Sequence, residues 1–311
     1  MPLKDRADRA LGGLTVNAAI NKVRAIIGPT NVPDSEPLAQ AALTKLHNGE
    51  DPTAEELTAL EIVVRLLRPV MFSRNGILED LPEADGHAPH PAELKDAWSK
   101  FRDRLKSRIG SIGRIETAAG KHVGTGFMVG DGLLATNRHV LGALTFGSEA
   151  LAAGAARVVF KQESGLANAS GDIVPIDGVA AIHRTLDMVL LAVAKPGRPA
   201  IPVAPVSAGE TLRVVTVGFP ANDPVNNPLF LAGLFQGRFG FKSAALGEVL
   251  DGVAAPSLFH DCSTTQGNSG SPLFALDSAE AVGIHRAGFF MYRNEAVDAG
   301  ALRSFISSHN P

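Results

Sequence analysis

The 311-residue sequence changes its periodicity near Ile109, and that change limits the folds open to it more than any other feature. From there onward apolar residues come in short runs, "GSIGRIET", "VGTGFMV", "ARVVFKQ", "DMVLLAVA", "TLRVVTVGF" and "AVGIHRAG", separated by clusters of Gly, Pro, Asn and Asp. Runs of this length and punctuation are strand signals, spaced as in barrels or sandwiches. Upstream the spacing is helical, in "LKDRADRALGGLTVNAAINKVRAII", "SEPLAQAALTKLHNG" and "DPTAEELTALEIVVRLLRP". The third stretch has Thr53 and Glu56 at capping-box spacing, Leu57, Leu60, Ile62, Val63, Leu66 and Leu67 at helical intervals, and Pro69 as the stop. The expected organisation is a small helical module over residues 1–82, an exposed linker and connecting helix over 83–107, and a β-rich unit over 108–311.

A composition of 45% hydrophobic and 20% charged residues is globular, and a net charge of -3 provides no field to attract nucleic acid. No apolar run approaches the roughly 18 residues needed to span a bilayer, so no membrane partner is expected. The opening "MPLKDRADRALGGLTV" mixes charges through its first ten residues and lacks a basic segment followed by an apolar one. Cys262 is the one cysteine, so no internal disulfide can form. That fits a reducing compartment, and the expected localisation is cytoplasmic.

The chemistry is concentrated in "TTQGNSGSPLF", residues 264–274. Turns collect Gly, Ser and Asn for conformational reasons alone, so Gly267-Asn268-Ser269-Gly270 is weak evidence by itself. An apolar run, a turn and a second apolar run follow the serine, where an α/β-hydrolase elbow would need a helix. The serine is therefore expected on a loop between strands. A nucleophilic serine needs a base, and the base needs a group to orient it. His139 directly follows the strand-like "GLLAT", and Asp187 precedes the apolar "MVLLAV". Taken singly, the first is one of nine histidines and the second an ordinary strand-end carboxylate. Together they stand in the order His139, Asp187, Ser269, each in a strand context suited to a double β-barrel.

At "LLATNRHVL", "LDMVLLAV", "TVGFP", "DCSTTQGNSGSPLF" and "VGIHRAG" the sequence resembles the trypsin-like (chymotrypsin-fold) serine peptidases, and within them the bacterial glutamyl endopeptidase, or V8-like, branch. The resemblance covers about residues 108–311. It implies an all-β double β-barrel peptidase domain with a C-terminal helix, preceded here by the small α-helical domain. It also implies that Ser269 attacks the scissile carbonyl, that His139 moves the proton and that Asp187 orients the imidazole. The backbone N–H groups of Gly267 and Ser269 would form the oxyanion hole. No metal or organic cofactor is required. His87 and His90 have a zinc-like spacing, but they lie in a Pro-rich stretch with no cysteine nearby.

The resemblance places Ser263, Thr264 and His285 in the primary specificity pocket. There is no aspartate there to select Lys or Arg. A Thr264 hydroxyl and a His285 N–H would offer two donors to a carboxylate, so cleavage after Glu, with Asp weaker, is expected. Secreted trypsins pair a new N-terminal amine with an aspartate just before the serine; here that residue is Asn268, which closes that route. The expected substrate is a protein or peptide, with a regulatory protein partner engaging residues 1–82. The alternative is a catalytically silent peptidase fold used as a binding module or scaffold. Retention of all three triad residues favours the enzyme.

Overall fold

Helical spacing and local capping build the first third of the chain. The computed structural model describes residues 3–29, 36–68, 70–165, 173–194, 197–224, 226, 228–250, 255–289 and 293–309. Helices α1 (Leu3–Leu11), α2 (Val16–Ile27), α3 (Glu36–Asn48) and α4 (Ala54–Leu66) come first. At α4 the capping box forms: the Glu56 N–H donates to Thr53 Oγ1 (3.2 Å) and the Thr53 N–H donates to Glu56 Oε2 (2.7 Å). Two orphan donors of the first turn are thereby satisfied. The helix ends at Leu66; Pro69, the expected stop, lies outside the described residues.

Within the stretch of helical spacing the structure also holds a hairpin, β1 (Val70–Arg74) and β2 (Ile77–Leu78). Its two turn residues, Asn75 and Gly76, have φ of 52° and 76°. Positive φ at both central positions gives a tight turn whose twist matches that of paired strands, and Asn-Gly is the sequence that tolerates it. Residues 70–78 therefore belong to a sheet. The connecting helix is α5 (Ala92–Leu105), with Trp98 stacked on Phe101 at 5.5 Å. The stretch before it is tied down where the sequence suggests a free linker: His90 is buried, and its Nε2 pairs with Pro82 O at 3.0 Å.

Next come β3 (Ile112–Thr117), β4 (His122–Gly130), β5 (Leu133–Thr136), α6 (Arg138–Thr145), β6 (Ala156–Val159), β7 (Ile173–Ile182) and β8 (Val189–Val193). The six strands close into a barrel in the order β3-β4-β5-β8-β7-β6. Its interior is filled by its own residues, among them Ile115, Met128, Leu134, Val158, Val189 and Leu191.

The second β unit contains β9 (Arg213–Gly218), α7 (Pro228–Phe235), β10 (Ser243–Glu248), β11 (Ser257–His260), β12 (Pro272–Ala275), β13 (Ala281–Phe289) and β14 (Arg293–Asp298), followed by the C-terminal α8 (Ala299–Ser307). The order β11-β14-β13-β12-β9-β10 becomes a ring through the bridge Val249↔His260, backed by the Leu250 N–H donating to Phe259 O (2.8 Å). One edge of β10 pairs with β9 along its whole length. The other edge is divided: its end meets β11, and its start pairs with β1 in the register Val70↔Ala245, Phe72↔Ser243. The expected double β-barrel is thus present, and the hairpin covers the edge that its second barrel leaves open.

The helices share in the same construction. Ala7, Val16, Ile20, Leu60 and Val63 form one continuous buried cluster with Val214, Ala245, Leu258 and Leu273 of the second barrel. Between the barrels a further cluster joins Trp98 and Phe101 to Phe127, Val217, Phe274 and Phe305. Among the described residues no helix is long and apolar enough to cross a membrane.

Candidate active site

Three segments carry the candidate residues: the start of α6, the turn before β8 and the loop between β11 and β12. His139 stands in the first turn of α6, whose N-cap is Asn137. Asn137 does not cap this helix with its side chain; its Nδ2 donates to Asp187 O at 2.8 Å, while the Asp187 carboxylate supplies the missing cap. Asp187 Oδ1 accepts the His139 N–H (3.0 Å), and Asp187 Oδ2 pairs with His139 Nδ1 at 2.7 Å. Both carboxylate oxygens are therefore fixed by one residue, and the ring can neither flip nor swing without losing a bond. Burial works against the Asp187 charge, but the His139 hydrogen bonds and charge outweigh it and hold the carboxyl below its ordinary 3.8. The loop that carries Asp187 is shaped by His183, whose Nδ1 accepts the N–H groups of Thr185 (3.2 Å) and Leu186 (2.9 Å). With a carboxylate on Nδ1, the imidazole keeps Nε2 for proton transfer.

Ser269 lies on the loop between β11 and β12, and the backbone of that loop depends on two glycines. Gly267 and Gly270 have φ of +88° and +87°; a Cβ on Gly270 would sit 2.1 Å from Thr125 O, and one on Gly267 would sit 2.5 Å from Phe219 O. Only glycine fits at either point. The first barrel grips this loop through Thr125, which is fully buried. Its N–H donates to Ser269 O (2.8 Å) and its Oγ1 to Gly267 O (2.7 Å). Its own carbonyl accepts from Thr136 Oγ1 (2.7 Å). Sequence reasoning missed Thr125, although a hydroxyl between two glycines in "VGTGF" was the available signal.

The loop reaches the histidine as well. A Cβ on Gly124 would lie 2.8 Å from the Val140 side chain and 3.1 Å from Ser269 O, so the residue after His139 and the serine backbone flank the same point. Ser269 Oγ makes no hydrogen bond among the described residues, the His139 ring included; in a substrate-free site this contact is often long and tightens when substrate binds. The N–H groups of Gly267 and Ser269 donate to no protein group among the described residues. Two adjacent unengaged donors beside a serine are what an oxyanion would need.

A cavity of about 260 Å³ opens next to Ser269, lined by Thr264, His285, Asn294 and Asp223 among others. Ser263 is buried and is not among its lining residues. The tautomers of its histidines follow from a chain of bonds. The Cys262 N–H donates to His260 Nδ1 (3.3 Å), so His260 carries its proton on Nε2 and donates it to His285 Nδ1 (3.1 Å). His285 is then protonated on Nε2, the polar atom it keeps for the cavity. Burial first, and the His139 charge second, lower the His285 pKa to about 3, and burial keeps His260 well below its usual range. The pocket histidine is neutral at working pH. The Thr264 hydroxyl donates to Asn294 Oδ1 (2.9 Å), and Asn294 is oriented by its Nδ2 donating to Cys262 O (2.5 Å). Of the two donors expected from the sequence, only the imidazole is free of an internal acceptor, because the amide of Asn294 fixes where the Thr264 proton goes.

Residues 124–284, just over half of the chain, match a family model described as a trypsin-like peptidase domain. The chain belongs to the trypsin-like peptidase family. Its fold is similar to the serine endoprotease from Yersinia pestis at 18% identity and a TM-score of 0.49, over 67% of this chain and 65% of that one. It is also similar to an inactive form of Rv3671c from M. tuberculosis H37Rv, at 17% identity and a TM-score of 0.47, over 71% of this chain and 94% of that one. The chain therefore spans slightly less than two thirds of the Yersinia protein. No curated protein matches the sequence.

Proposed function

We propose that this trypsin-like peptidase is an active serine endopeptidase that cleaves through an acyl-enzyme. Ser269 is the nucleophile, His139 the general base and then acid, and Asp187 the group that fixes the tautomer. The amides of Gly267 and Ser269 bind the oxyanion. The single observation that supports this most is the two-point grip of Asp187 on His139, at 3.0 and 2.7 Å, next to Val140, whose side chain flanks Gly124 together with Ser269 O. A silent binding module has no use for so constrained an imidazole. Ser269→Ala and His139→Ala are each expected to lower kcat by about 10⁴ to 10⁶, because triad members act as a unit. Retention of a tenth of the activity by either folded variant would sink the assignment.

For specificity we propose cleavage after Glu, with Asp weaker. The reading rests on the His285 Nε2–H, set by the His260 contact, and on Ser263 and Thr264 standing where an aspartate would select Lys or Arg. A different residue favours a second reading. Asp223 also lines the cavity, where it accepts from Asn226 Nδ2 at 2.7 Å, and a carboxylate there would welcome the amide of glutamine and repel glutamate. Matched peptides with Glu, Gln, Asp, Ala or Phe before the scissile bond separate the two. Under the first reading Glu leads and Asp223→Asn improves it further; under the second Gln leads and loses to Glu in that variant. A lone, buried Cys262 fits a cytoplasmic setting. We read residues 1–82 as the controlling segment, through which a protein partner would act.

A further inference from the structure

The charges of the helical segment converge on Asp261, whose two chain neighbours bond residues that line the specificity cavity. Asp261 follows His260 and precedes Cys262, and its side chain is fully buried. Its Oδ2 accepts from Arg6 Nη1 of α1 (2.9 Å) and from Arg68 Nη1, just past α4 (2.7 Å), while its Oδ1 accepts the Glu248 N–H (2.6 Å). Each arginine is braced in turn. Arg6 also bonds Glu61 of α4, Arg68 bonds Glu248 (3.0 Å), and Arg9 bonds Glu248 from the other side (2.6 Å). Burial opposes the Asp261 charge, and the two guanidinium groups overcome it and push its pKa far down. A carboxylate so enclosed is ionised and immobile.

Both backbone neighbours of Asp261 hold the cavity. His260 bonds the His285 ring; the Cys262 carbonyl orients Asn294, which holds the Thr264 hydroxyl. The Cys262 N–H fixes the His260 tautomer. We propose that the N-terminal helical segment is a built-in clamp on the specificity pocket. Arg6 and Arg68 lock Asp261, and through the residues on either side of it they position the His285 imidazole that meets the substrate side chain and the Asn294–Thr264 pair that lines the pocket beside it. Arg6, Arg68 and Asp261 are positioning residues: they touch neither substrate nor the reacting atoms. The clamp rests on the proposed peptidase activity, and it holds for whichever side chain the pocket prefers.

The test uses the full chain and a triple variant, Arg6→Gln/Arg68→Gln/Asp261→Asn, which leaves Glu61 with Arg65 and Glu248 with Arg9. Three quantities are measured: the rate of fluorophosphonate labelling at Ser269, kcat and KM for the preferred peptide, and the same for its Ala counterpart. The expected result is labelling within threefold of wild type, and kcat for the preferred peptide within threefold. Through KM, kcat/KM for that peptide falls at least tenfold while that for the Ala peptide stays within threefold, so the preferred-to-Ala ratio of kcat/KM falls by at least threefold. A folded variant that keeps the ratio overturns the clamp, and so does an equal loss in labelling and on both peptides, which would mark a general structural role. Should the triple variant not fold, Arg6→Lys, which keeps the charge but not the forked geometry, is expected to lower the ratio about threefold and to move the ring ¹⁵N resonances of His260 and His285. An unchanged ratio with unmoved resonances overturns the proposal. A wild type that neither hydrolyses nor labels fails the peptidase reading itself. A wild type that prefers another residue over Glu fails only the Glu reading, and the clamp is still tested on that residue.

Discussion

The two barrels contribute one half of the site each, yet they are built on opposite terms. The barrel that carries His139 and Asp187 closes with six strands of its own and fills its interior from them. The barrel that carries Ser269 and the cavity closes through a single bridge, takes a strand pairing from the 70–78 hairpin and buries its outer apolar face against α1, α2 and α4. It also depends on arginines from the helical segment to neutralise a buried aspartate. The half that carries His139 and Asp187 is thus self-contained, while the half that carries Ser269 and the cavity is completed by residues about 200 positions away in sequence. A segment with no reactive constellation of its own is therefore part of the site's foundation.

Deleting residues 1–68 is the most severe way to break this comparison. It removes a core face and both arginines that pair with Asp261, leaving a buried carboxylate without its countercharges, a loss worth several kcal/mol by itself. Hydrogen exchange is expected to show β9 to β14 unprotected while β3 to β8 keep their protection. Equal protection in both barrels would show that the second one stands alone. A milder probe is Leu60→Ala, which empties a fully buried site at the helix–barrel boundary and is expected to cost about 2–5 kcal/mol. The exchange of β9 to β14 should rise with it, whereas Leu191→Ala, inside the first barrel, should loosen β3 to β8 instead. If both variants loosen the same strands, the barrels form one cooperative unit.

The smallest effect is one of pH. His285 titrates near 3 in the folded chain, against its ordinary 6.5, so below pH 6.5 the unfolded state binds a proton that the folded state refuses. Stability must therefore fall as pH drops from 6.5 towards 3, by about 1.4 kcal/mol per unit for each such histidine. The depressed Asp187 acts lower: its contribution is present above the ordinary 3.8 and is lost as pH falls through its folded value. Denaturant titrations between pH 7 and 4.5 should show the slope, and His285→Gln should reduce it by about one proton. An unchanged slope would mean that His285 is not held neutral. For the same reason the substrate preference should be flat between about pH 5 and 8.

Much of this was written locally in the sequence. The capping box of Thr53 and Glu56, the strand runs around β4, β8 and β13, and the connecting helix are short-range patterns, and each formed where its pattern stood. The hairpin was legible too, in Asn75-Gly76 between apolar residues, but helical spacing runs directly into it and obscures the change of period. What no spacing could reveal is the pairing of Arg6 and Arg68 with Asp261. The two contacts join residues 255 and 193 positions apart, and a buried ion pair leaves no periodic trace. The fate of the Thr264 proton was hidden for a related reason. It depends on Asn294, which β14 brings to the cavity by pairing with β11 at His260↔Asn294 and with β13 at Gly288↔Asn294.

The most direct test of the site is the mass of the protein after exposure to a fluorophosphonate. The expected result is one stoichiometric adduct, mapped to Ser269, formed at least a hundredfold more slowly in Asp187→Asn and absent in Ser269→Ala. An unmodified Ser269 in a folded full-length chain, or hydrolysis that survives Ser269→Ala, would contradict it.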